Sequence, residues 1–182
     1  KIEINDYNEA IKLLNKAILI SNQRNIKPID IMLSLASVYQ SINNLDKVEE
    51  ILNQVFLVKP KYARAHKLLS EITKYSSKNS KSLTHLDQMK KIIKENDVND
   101  DEKIELSFAL GKSLEDLKNY EESFNYLQSA NSLKRSKIHS NLKDEINIFN
   151  NLIKNFEDIE FSKVNIKNQS KKIIFVCGMP RS

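Results

Sequence analysis

Glycine and proline are nearly missing: the chain has two of the first and three of the second. Folds rich in strands or loops need more of both at their turns, so the scarcity favours long helices with short connections. There is one cysteine and no tryptophan. A single thiol excludes an internal disulfide framework and points to a reducing compartment, read here as the cytoplasm. No run approaches the roughly 18 apolar residues of a membrane span, so none is expected. What is present, 40% hydrophobic and 29% charged residues over 182 positions, describes a folded chain with a core of its own. The first residue is Lys1 rather than Met, and Ser182 falls inside an apparent motif. The chain therefore reads as a fragment of a longer protein, and a leader before Lys1 stays open.

The net charge of +5 is unevenly placed. Residues 1–162 balance their acids and bases, while Lys163, Lys167, Lys171, Lys172 and Arg181 stand in a stretch without a carboxylate. A nucleic-acid binder would spread its cations along a helical face, so no nucleic-acid partner is expected. The lysines before the end have a plainer reading as a solvated linker.

Helical periodicity fills the rest. Tyr7, Ala10, Leu14, Ala17 and Ile18 share one face by i, i+3, i+4, i+7 spacing, as do Met32, Leu35, Ala36, Tyr39 and Ile42. Leu45, Val48, Leu52, Val55 and Phe56 follow, with Pro60 just past them to stop that helix and start the next. "YARAHKLLSEITKY" predicts another helix, and a polar stretch after it predicts a loop before a helix over roughly 82–95. Asn99, Asp100 or Asp101 is expected to cap the helix that follows. Leu142, Ile146, Phe149, Ile153 and Phe156 mark a last helix, expected to cap an array.

The elements repeat. Tyr7/Ala10/Leu14/Ala17, Leu45/Val48/Leu52/Val55 and Tyr120/Ser123/Leu127/Ala130 share the same offsets. Leu35, Ala36 and Tyr39 match Leu110, Gly111 and Leu114 upstream of the second and third sets. From Leu35 to Pro60 the pattern resembles a tetratricopeptide repeat, and Ala36 and Gly111 stand where two paired helices come closest. The expected fold is mostly α: a degenerate array of three to four helical hairpins over residues 1–158, then a basic linker over 159–171.

The chain closes on "KIIFVCGMPRS". Ile173 to Val176 read as a strand buried on both faces, and Gly178 ends it. A strand followed by a Gly turn and a helix N-terminus is a layout that holds anions on unpaired backbone N–H groups. Arg181 adds a forked cation and Ser182 a hydroxyl. Here "GMPRS" resembles the 5′-phosphosulfate loop of sulfotransferases, and "FALGKSLEDLKNYEESFNYLQSANSLKR" resembles the last repeat of bacterial proteins that join tetratricopeptide repeats to a sulfotransferase domain.

That resemblance implies that residues 172–182 begin a truncated α/β, P-loop-like sulfotransferase domain. It implies sulfuryl transfer from 3′-phosphoadenosine 5′-phosphosulfate to a hydroxyl or amine, without a metal. Arg181 would stabilise the leaving group as the catalytic residue, Ser182 would contact the 5′-phosphate, and Gly178, Met179 and Pro180 would shape the donor loop. The acceptor base and the 3′-phosphate site would lie downstream, and the repeats would hold an acceptor peptide, protein or small molecule in their groove. Two alternatives stand beside it: a stand-alone tetratricopeptide interaction module, and a P-loop kinase or ATPase whose Lys would follow Ser182. His66, His85 and His139 lack ligand spacing and read as structural or exposed. Cys177 reads as a small strand residue.

Overall fold

A computed structural model describes residues 6–137 and 142–157. Contacts between Cα atoms divide the chain into two units, residues 1–138 and 139–182. The first unit holds seven helices among its described residues: α1 (Tyr7–Gln23), α2 (Ile29–Ser41), α3 (Leu45–Val58), α4 (Ala63–Ile72), α5 (Ser80–Ile92), α6 (Asp100–Asp116) and α7 (Tyr120–Lys137). The second holds α8 (Leu142–Glu157), along which Ile146, Phe149 and Ile153 are exposed.

The apolar stripes explain the packing. Val48, Leu52 and Val55, all on one face of α3, are fully buried together with Leu33 and Ala36 of α2. A second core gathers Met89 of α5, Leu106, Ala109 and Leu110 of α6, and Tyr75 of the α4–α5 connection. The helices pack as hairpins, α2 on α3 and α6 on α7, while α4 lies against α6 and extends the stack.

The two hairpins share one turn. Asn43 and Lys118 both adopt left-handed backbone, with φ of 57° and 61°. Each closes its helix with a pair of backbone bonds, Asn43 N–H to Gln40 O with Asn44 N–H to Tyr39 O, and Lys118 N–H to Glu115 O with Asn119 N–H to Leu114 O. Asn44 and Asn119 then cap the next helix through their side-chain oxygens. Inside the second hairpin, a Cβ on Gly111 would stand 2.6 Å from Leu127 Cδ2, and Ser123 Oγ donates to Gly111 O at 2.7 Å. The small residue does sit at the close approach expected of it.

Two boundaries differ from the periodic reading. Helix α5 begins at Ser80 and ends at Ile92, because Asn79 accepts from Ser82 N–H and starts the helix inside the polar stretch expected to be loop. Among the three candidates for the α6 cap it is Asn99 that serves, with Glu102 reaching back to its N–H in a capping box. Ile42 and Leu45, placed on buried faces by spacing, are exposed because they flank the turn. The strand, the phosphate loop and the basic linker fall outside the described residues.

Candidate functional site: a lysine-rimmed cleft over a buried histidine pair

Helices α4 and α5 are joined through long side chains. His66 on α4 and His85 on α5 stack with ring centroids 5.1 Å apart and share a hydrogen bond, Nδ1 to Nε2, of 2.9 Å. His66 Nε2 stands 2.8 Å from Pro60 O, which can only accept, so that nitrogen carries its proton. His66 Nδ1 must then accept, and His85 Nε2 donates to it. His85 Nδ1 is left as the acceptor for the Tyr75 hydroxyl at 2.6 Å. Only this proton order satisfies every partner with neutral rings.

Burial maintains that order. His66 is 2% exposed and His85 7%. Burial pulls the His85 pKa down to about 3, helped by the neighbouring His66, and lowers His66 as well against the pull of the Pro60 carbonyl. Burial likewise pushes the Tyr75 phenol up to about 12. All three groups are therefore neutral near pH 7.

Above this chain opens a cleft of about 620 Å³, walled by α3 and α5. Its floor is apolar: Phe56, Leu69, Ile92 and the two imidazoles, with Phe56 packed 4.7 Å from the His66 ring. Asn53, Ser80, Thr84 and Gln88 line the walls. Lys61, Lys81 and Lys91 stand around it, and among the described residues no carboxylate is part of its lining.

The other face of α4 is closed by its own polar links. Tyr62 Oη donates to Asp30 at 2.8 Å, Gln40 to Glu71 at 3.2 Å, and Lys67 pairs with Glu105 at 2.9 Å. Asp116 receives Lys74 at 2.8 Å, Lys112 at 2.7 Å and the Tyr75 backbone N–H at 3.0 Å. Burial works against its charge, but these donors outweigh it and hold the carboxyl at about 2. The rungs tie α2, α4 and α6 together.

Sequence reading singled out neither the cleft nor its lysines. His66 and His85 were expected to be structural or exposed, and both are buried and hydrogen-bonded; their pairing had no signal, since nineteen positions on two helices form no motif. Gly178, Met179, Pro180, Arg181 and Ser182 lie outside the described residues, as do His139 and Cys177. Among the described residues no cluster of His, Cys, Asp and Glu could hold a metal ion, and no helix is long and apolar enough to cross a membrane.

The geometry defines the class: stacked antiparallel helical hairpins that repeat one turn and one close contact. The repeats are tetratricopeptide repeats, since two family models so described match residues 2–72 and 104–144. No curated protein matches the chain. Helix α5, which forms one wall of the cleft, lies between the two matched stretches.

Proposed function

We propose that the helical array is a protein-interaction module, and that it holds an acceptor or partner for a sulfotransferase begun by residues 172–182. The first half rests on the stacked tetratricopeptide hairpins, repeats that generally mediate contacts between proteins. Such an array gains affinity by burying apolar side chains of its ligand on a scaffold that is already ordered. Hydrogen exchange with a panel of peptides of mixed composition tests it. A bound peptide should slow amide exchange within residues 45–116; a panel that leaves every amide unprotected overturns the module.

A second observation, the sequence Lys172–Ser182, supports the transferase half. In this reading Gly178, Met179 and Pro180 shape the turn, Ser182 meets the 5′-phosphate, and Arg181 stabilises the charge that develops on the leaving group. A gene product extending past Ser182 should bind 3′-phosphoadenosine 5′-phosphate. There Arg181→Ala should lower kcat by about 100-fold or more, with a smaller change in donor KM. Failure of that longer product to bind the nucleotide sinks the transferase half and leaves the module standing.

A further inference from the structure

We infer that the cleft between α3 and α5 is the docking site for an acidic peptide segment carrying one large apolar side chain. The inference rests on the interaction-module reading and locates its binding surface.

The floor sets the first requirement. All four ring nitrogens of His66 and His85 are used, by each other, by Pro60 O and by the Tyr75 hydroxyl. The imidazoles therefore offer ring surface and no spare donor or acceptor. With Phe56, Leu69 and Ile92 beside them, the floor accepts an apolar side chain without leaving a buried polar group unpaired. A volume of about 620 Å³ admits one such anchor and its flanking backbone.

The rim sets the second. Lys61 is tied to Glu95, but Lys81 and Lys91 have no ion pair among the described residues. Both are exposed and both stand on α5, ten positions apart, which is about 15 Å along a helix. An extended ligand spans that distance in about four or five residues, so carboxylates on either side of the anchor reach both ammonium groups.

Charge complementarity picks out this cleft among its neighbours. The cleft bounded by α1, α2 and α3 brings Lys47 and Glu50 together, already bonded at 2.7 Å. The cleft nearer the start of α3 is lined by Asp46 and Glu49. Of these three, the cleft over Phe56 is the one whose lining pairs lysines with an apolar floor and includes no acid; its Lys81 and His85 also border the neighbour that holds Asp46 and Glu49, and Lys91 does not.

Fluorescence anisotropy with a short labelled peptide, glutamates flanking a central phenylalanine, tests the site. The peptide should bind saturably, and Gln-for-Glu or Ala-for-Phe versions should bind about tenfold more weakly or worse. Raising the salt from ~50 to ~300 mM should also weaken binding. Lys81→Glu with Lys91→Glu, two exposed changes that leave the core intact, should reduce affinity at least about tenfold, and so should Thr84→Trp, which fills the cleft. Lys78→Glu, outside the lining, should change it by less than about twofold, as should any variant acting on net charge alone. Equal binding of the glutamine version, or unchanged binding by both the double-lysine and Thr84→Trp variants, overturns the site. If peptides of other composition still protect the array in hydrogen exchange, the module survives that result; if none does, both readings fall.

Discussion

Two neutral histidines beneath a cleft make stability depend on pH at the scale of single residues. Burial lowers both pKa values, His85 to about 3, below the ~6.5 of an unfolded histidine. Protons below pH 6.5 therefore bind the unfolded chain better. The stability from keeping these rings neutral is full above ~6.5 and declines as pH falls below it, the share of His85 being lost toward about 3 at up to about 1.4 kcal/mol per unit. The melting temperature should fall between pH 7 and pH 5. In His85→Gln, whose amide can also donate and accept, the fall should be clearly shallower; an unchanged slope would place the pH dependence elsewhere. Lys118 offers a test of opposite sign. Its backbone is left-handed at φ 61°, which disfavours a side chain with a Cβ. Lys118→Gly should raise stability by about 0.5–1 kcal/mol in urea melts.

Between elements, contact distance and ion pairing do different jobs. Gly111 lets α6 and α7 close until a Cβ would stand 2.6 Å from Leu127 Cδ2. Gly111→Ala gains about 1 kcal/mol of helix propensity but forces that leucine aside. The clash should win by about 1 kcal/mol, and Leu127→Ala in the same chain should relieve it, so a double-mutant cycle should show positive coupling. Additive effects would mean that the leucine moves freely. Asp116 joins α6 to the end of α4 and the connection after it through Lys112, Lys74 and the Tyr75 N–H. Asp116→Ala strands those donors and should cost about 1.5–3 kcal/mol. Since its carboxyl is held at about 2, this contribution is present above pH ~4 and lost as pH falls toward 2, below most of the histidine window.

At the scale of the whole molecule, the proposed division of labour places the donor loop and the partner site in different units. The resemblance that suggests a sulfotransferase puts the acceptor base and the 3′-phosphate site beyond Ser182. The 182-residue chain incubated with labelled donor and candidate acceptors should accordingly transfer no label, even under conditions where it binds an acidic peptide. Turnover by this chain would refute that assignment of the catalytic parts.

Much of the array was legible in the residues. Apolar spacing located α1, α2, α3 and α7, the stretch Tyr62–Tyr75 announced α4, and Gly111 announced its close contact with α7 by size. Pro60 marked its turn, although its second role, accepting a proton bond from His66, had no trace in the sequence. Helix α5 was misplaced by a few residues because its cap, Asn79, sits in a polar run that looks like loop. The apolar period and the small residues thus determined which helices form and which pair, since those depend on neighbours three to eleven positions away. The neutral histidine relay, the paired Asp116 and the unpaired lysines over Phe56 were decided only by tertiary structure. Burial and charge pairing depend on which distant side chains arrive at one place, and spacing along a chain carries no record of that.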